Sequence, residues 1–317
     1  MSEKIIGIDI CAPDAPTALA HIRKAEEMGI QGVWLTGSGG GTGNDSLMVL
    51  SAAATQTERI RLGTSIILTW PRHPVMAAHQ AQVVAGLAPG RFRVGVGTGD
   101  KHRIEQTFGI RHRAPLSHLR EYIRILKGLL QRGVIDMDGQ YYTAHARLPN
   151  PIDVPVMASA LRSSSFELCG AESDGAISWA TPHQFTREVS LPALRGGAAK
   201  AGRPTPPLIV HAPVCVHEDI HAVRDGVRER PGYFPRIPLY SLMLAEAGFS
   251  GSTETGWTEK MLEAVVISGD EAAVAEQLQG IFAWGATEIL ATVIAVGDAG
   301  GRSEERTMRL LAEVSAA

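Results

Sequence analysis

With 317 residues, 44% of them hydrophobic, the chain is long enough for one large α/β barrel and buries a substantial core. A net charge of −3 gives no general attraction to nucleic acid or to an anionic membrane. No apolar run approaches the ~18 residues of a bilayer span. Cys11, Cys169 and Cys215 lie far apart with no metal-ligand spacing, and their odd number argues against a disulfide framework.

The opening MSEKIIGIDICAPDAP lacks the charged, apolar, small-residue order of a signal peptide, so a cytoplasmic protein is expected. Short runs rich in Val, Ile and Leu follow, alternating with longer helical patterns. The predicted strands are 5–10, 32–36, 61–68, 92–98, 155–160, 175–180, 208–217 and 286–296. Most are continuously apolar, as parallel strands covered on both faces are.

Between them, Pro74 stands at a first helical position ahead of VMAAHQAQVVAGL. In 115–131, Leu116, Leu119, Ile123, Leu126 and Leu130 make one apolar stripe. SGDE at 268–271 reads as a capping box with Ser268 as the cap. Eight strand-helix units with right-handed crossovers predict a (β/α)8 TIM barrel, preferred to an open doubly wound sheet because the count is eight. The whole of 1–317 reads as one domain, with insertions at about 132–153, containing an edge hairpin, and 218–268. Long insertions in such barrels tend to form lids or binding walls.

Two glycine-rich turns end strands two and four: LTGSGGGTGND at 35–45 and VGVGTGD at 94–100. No frame of either satisfies GxGxxG, and no GxxxxGK[ST] exists, so neither a dinucleotide fingerprint nor a P-loop is present. What remains is backbone able to approach a flat ligand or an anion closely. Both turns lie at the strand ends where barrel enzymes carry their sites.

The block TERIRLGTSIILTWPRHPVMAAHQAQVVAGLAPGRFRVGVGTGD, 57–100, resembles the luciferase-like family of flavin- and deazaflavin-dependent oxidoreductases. It is most similar to the F420-dependent branch that includes the methylene-tetrahydromethanopterin reductases. The DGQYY insertion and the tail ISGDEAAVAEQLQGIFAWGATEIL follow the same pattern. The resemblance implies a tricyclic ring in the barrel mouth, over a bulge with a non-prolyl cis peptide near Ser65, Ile66 and Ile67. It implies ring contacts from Gly97, Thr98, Gly99 and Asp100, and phosphate contacts from Ala158, Ser159, Ala160, Ser163 and Ser164. Trp179, Thr181 and His183 would border the pocket.

Family alcohol dehydrogenases carry an Asp-His pair after strand two, where this chain reads Thr36-Gly37. Thr36 stands at the cofactor-binding position, but no base follows it. Without a proton acceptor for an alcohol, reduction of a C=C or C=N bond, or oxygenation, is favoured. Asp100 is the first candidate to protonate or orient the substrate, and also a natural cap for the helix beginning near 101. His73 and His183 are the alternative proton carriers. The expected cofactor is coenzyme F420, with FMN in a two-component monooxygenase as the alternative. A flavin-binding protein without catalysis is a third reading. A homodimer, a small-molecule substrate and a flavin or F420 reductase partner are the expected associations.

Overall fold

The computed structural model describes residues 4–36, 44–229, 234–250, 256–297 and 301–316. Eight parallel strands close into a ring: β1 (Ile5–Ile10), β2 (Gly32–Leu35), β3 (Arg61–Thr64), then β5 (Phe92–Gly97). β8 (Val156–Ser159), β9 (Gly175–Ile177), β10 (Leu208–Val216) and β12 (Glu288–Val293) complete it. Pairing of β9 with β10 and of β12 with β1 leaves this ring no free edge. All eight strand positions match those expected.

The differences lie at strand ends. The third predicted strand, 61–68, is interrupted by a cis peptide between Ser65 and Ile66 and resumes as β4 (Ile67–Leu68), which pairs with the end of β5. The last strand is shorter than 286–296 at both ends, running Glu288–Val293; before it Ala286 N–H still closes on Ile281 O of the preceding helix. Ser268 belongs to β11 (Ile267–Gly269), which extends the sheet beyond β10. Asp270, not Ser268, caps helix Glu271–Ala283, its Oδ1 accepting the Ala273 N–H at 2.9 Å. An aspartate one residue before the helix outcompetes a serine three residues before it.

Helix Pro115–Arg132 buries Leu119, Ile123, Leu126 and Leu130 as the stripe requires, with Leu116 packed at its edge. The first insertion is an antiparallel hairpin, β6 (Val134–Asp138) with β7 (Thr143–Arg147). The second contains helices Ile220–Glu229, Pro238–Glu246 and Glu259–Val265. No described helix is long and apolar enough to cross a membrane.

Inside the ring, Trp34 packs with Met157, Ile177, Ile209 and Leu290, and Ile66 and Trp179 lie against that cluster. Glycine makes room for the indole: a Cβ on Gly63 would come 2.5 Å from its ring. Trp34 Nε1 donates to Glu288 Oε1 at 2.7 Å, and Arg93 Nη2 donates to the same oxygen at 3.0 Å. Arg93 Nη1 meets the second oxygen, and its guanidinium lies 4.3 Å from the Trp34 ring. The Glu288 side chain is 2% exposed, and the hydrogen bonds from Trp34 and Arg93 offset the cost of burying a carboxylate.

Removing one partner leaves the other charged and buried, which costs about 3–5 kcal/mol. Glu288→Leu is therefore expected to lower urea-measured stability by about that amount. A loss below about 1 kcal/mol would contradict a required ion pair in the barrel floor.

Candidate active site

Above the Trp34 layer the strands end in a polar mouth. Asp9 pairs in register with Trp34, two residues beyond Gly7, whose missing side chain faces the indole. Period-two alternation therefore brings the Asp9 carboxylate to the interior one layer higher. Thr36 Oγ1 donates to Asp9 Oδ1 at 2.9 Å. The glycine loop 37–43 that follows Thr36 lies outside the described residues.

Ser65 and Ile66 flank the cis bond, and Ile67 begins β4 beside Val96. Gly97 faces them across the strand: a Cβ there would meet Ser159 Oγ at 2.3 Å and the Ile66 side chain at 2.8 Å. Ile66, Gly97 and Ser159 thus converge on one spot. Gly99 has φ +67°, a left-handed turn that leads to Asp100. Thr98 lies half-buried between them. A cavity of about 230 Å³ lies at this edge, lined by Ile67, Leu68, Pro71, Arg72 and Phe108. A larger hollow of about 610 Å³ lies between outer helices at Lys24, Met28, Gly301, Glu305 and Arg309, away from the strand ends.

On the opposite wall, Trp179 stacks on His211 with ring centroids 3.9 Å apart and planes 16° from parallel. His211 Nδ1 accepts the Ala180 N–H at 3.0 Å, so Nε2 carries the proton and faces Thr292 Oγ1 at 2.9 Å. Burial, together with neighbouring His183, pulls the His211 pKa down to about 3. His183 begins a short helix, and burial pulls its pKa down to about 4. Its Nε2 is buried with no hydrogen-bond partner among the described residues, as is Ser65 Oγ. Two unanswered polar atoms in a mouth with a flat aromatic wall suit a planar heterocycle carrying ring nitrogens and carbonyls.

The other expected residues have visible local duties. Asp100 Oδ1 accepts the Arg103 N–H at 3.1 Å, capping helix Lys101–Phe108 as anticipated. His73 is exposed and caps helix Pro74–Leu87, its Nδ1 accepting from Val75 N at 3.3 Å. The Ala158 side chain is buried at the end of β8, and Ala160 N is committed to Ile177 O. Ser163 starts helix Ser163–Glu172, where its hydroxyl donates to Glu246 Oε1 at 2.7 Å and Arg162 Nε donates to Oε2 at 2.9 Å. Those hydrogen bonds hold Glu246 below the usual carboxylate range despite its partial burial. A carboxylate of this chain therefore sits at the helix start expected to receive phosphate.

Sequence reasoning missed Asp9, His211 and Thr292. The signal for His211 is a single histidine inside nine consecutive buried positions of β10. The signal for Asp9 is an acid at the C-terminal end of an apolar strand.

Residues 7–298 match the family described as luciferase-like monooxygenase. The 5,10-methylenetetrahydromethanopterin reductase of Methanopyrus kandleri is 26% identical, covering 99% of this chain and 98% of the relative. An F420-dependent secondary alcohol dehydrogenase, solved with an F420-acetone adduct, superposes with a TM-score of 0.80 at 17% identity, over 98% of both chains. The oxygenating constituent of 3,6-diketocamphane monooxygenase from Pseudomonas putida, solved with FMN, gives 0.73 at 19% identity, over 100% of this chain and 98% of the other.

The buried imidazoles fix the sign of an acid effect. His118 (held near 4 by burial, then by His112), His183 and His211 all have folded pKa values below 6.5. The unfolded chain takes up those protons first, so stability is full above about pH 6.5 and falls as pH drops toward the folded values. Each imidazole contributes a slope of about 1.4 kcal/mol per pH unit. His211→Gln should flatten the stability curve between about pH 6 and 5 by one proton. Parallel curves for variant and wild type would contradict a neutral, buried His211.

Proposed function

Because the chain belongs to the luciferase-like monooxygenase family, we propose that it is an oxidoreductase that seats coenzyme F420 in the barrel mouth. It would transfer hydride between the reduced deazaflavin and a small organic substrate, with reduction of C=C or C=N favoured. The observation that carries this reading is the mouth: Ile66 and Ser159 converging on side-chain-free Gly97, floored by Trp34.

When bound, the heterocycle supplies the hydride chemistry. Ile66 and Ile67 form an apolar support for it, and Gly97, Thr98 and Gly99 border its edge. Trp179, backed by His211, closes the far side against water. Neutral His183 and Ser65 offer hydrogen bonds to polar ring atoms, and Thr36, held by Asp9, follows Leu35, whose carbonyl accepts the Ser65 N–H. Asp100, half-buried at the rim, is assigned to orienting or protonating the substrate, while one of its oxygens caps the helix. His73 is assigned to the cap of its own helix. Ala158, Ser159, Ala160 and Ser163 are assigned to the phosphate end, which requires Glu246 to release Ser163. The sequence has no base at Thr36-Gly37 and the Asp9 carboxylate beside it accepts the Thr36 hydroxyl, which supports reduction over alcohol oxidation.

The experiment is titration of purified apo-protein with F420 and with FMN, read by fluorescence. Micromolar binding of F420 is expected, and Asp100→Asn is expected to keep that affinity within a few-fold while slowing turnover. Asparagine caps as well as aspartate, so the helix stays intact. Binding of FMN alone favours the two-component monooxygenase, served by a separate reductase. Binding without turnover favours the non-catalytic reading, and binding of neither overturns the proposal.

We also infer a homodimer. Helices Ser46–Ala54 and Pro74–Leu87 pack side by side and carry no Asp, Glu, Lys or Arg, yet leave Met48 65%, Met76 53% and Val83 57% exposed. An uncharged apolar face fits a second copy of itself without like-charge repulsion. Val83→Glu should convert a sedimenting dimer to monomer; a monomeric wild type contradicts the inference.

A further inference from the structure

The first insertion, with its DGQYY sequence, has no part in the chemistry described so far, yet one of its tyrosines reaches the cofactor support. The carboxylate of Glu121, on helix Pro115–Arg132, accepts the backbone N–H groups of Gln140 and Tyr141 at 2.8 Å and of Tyr142 at 3.1 Å. Those three bonds staple the hairpin turn to the helix. Tyr142 then projects across it, its hydroxyl donating to Thr69 O at 3.1 Å. His118 Nε2 lies 3.2 Å from that hydroxyl and 3.0 Å from Thr69 Oγ1. With the tyrosine proton committed to Thr69 O, the Nε2 proton faces two acceptor oxygens.

Thr69 is the residue after β4, and its N–H donates to Gly97 O at 3.0 Å. Trp70 stacks on His118 with centroids 3.5 Å apart and planes 11° from parallel. His112 lies against Trp70 as well, with ring centroids 5.2 Å apart and planes 44° from parallel. The chain Glu121–Tyr142–His118–Trp70 therefore grips the turn after β4, and that turn holds the one after β5 through Thr69 N–H to Gly97 O and through Leu68 packed beside Gly99.

We propose that Tyr142 and His118, with Trp70 stacked on His118, are positioning residues that hold the Ile66–Thr69 and Gly97–Gly99 segments at the separation a planar cofactor requires. The proposal rests on the reading of the mouth as a deazaflavin or flavin site. It makes the hairpin a strut. Loops are mobile unless tied down, and a binding constellation needs its supporting groups fixed within about 0.5 Å. Here the ties are one hydroxyl, one imidazole and one indole, none of which carries a net charge when buried and neutral.

The test uses Tyr142→Phe, which removes only the hydroxyl, with Tyr141→Phe as the control. Tyr142→Phe is expected to weaken binding of whichever of F420 and FMN the wild type takes by about tenfold and to change the visible circular dichroism of the bound cofactor. The melting temperature should stay close to wild type. His118→Gln keeps a donor toward Thr69 and should fall between wild type and His118→Leu. Amide exchange at Thr69 and Gly99, read without cofactor, should quicken about tenfold in Tyr142→Phe and stay unchanged in Tyr141→Phe. Wild-type affinity, dichroism and exchange in Tyr142→Phe would overturn the proposal. If the wild type binds neither cofactor, the functional reading fails, while the exchange comparison still decides whether the strut exists.

Discussion

The molecule turns on an ion pair inside a closed barrel. Glu288 rises from the start of β12, Arg93 from the start of β5, and between them Trp34 gives its indole N–H to one and its ring face to the other. A barrel of eight strands has an interior just wide enough for side chains to fill. This trio occupies the barrel below the mouth. The depth of the mouth is set by where the indole stops, and that position exists because Gly7 and Gly63 have no side chains. A buried ion pair is weak evidence for stability in itself. Its consequence here is geometric: a rigid floor on which a shallow pocket is built.

From that floor upward the walls differ in kind. One side is backbone and small residues, with the cis bulge at Ser65–Ile66 against Gly97 and Ser159. The other is aromatic, Trp179 on His211, with His211 locked by Ala180 N–H and Thr292. Both walls are braced from behind. Helix Pro115–Arg132 carries His118 and Glu121, so the element that covers the barrel also fixes the turn above it. Neutral, buried imidazoles recur in this bracing, which keeps uncompensated charge away from the mouth.

The strands were legible because parallel strands buried on both faces write themselves as continuous apolar runs; β10 is buried at all nine positions. The break in the third strand and the cap at Asp100 were legible too, the first through family resemblance and the second through spacing. Two kinds of feature were hidden. Which residues share the mouth depends on register around a closed ring, so Asp9, His211 and Thr292 come together only when the ring closes. His118 and Tyr122 lie beside the Leu119–Ile123 stripe and widen it, but nothing local says that a histidine there reaches Thr69. The Ser268 cap failed for a local reason, since Asp270 stood closer to the first turn. Ser163 shows a third limit: its hydroxyl meets Glu246, 83 residues away, a pairing no spacing rule could foresee.

The central claim is that the mouth above Trp34 holds a planar redox heterocycle against Ile66. A crystal structure of the protein soaked with F420, or with FMN if that alone binds, measures it directly. The account predicts the ring in van der Waals contact with Ile66, its edge along Gly97 to Gly99 and its far side toward Trp179. A ring bound outside the strand ends, or a mouth closed over Ile66 by side chains that do not move aside, would contradict it.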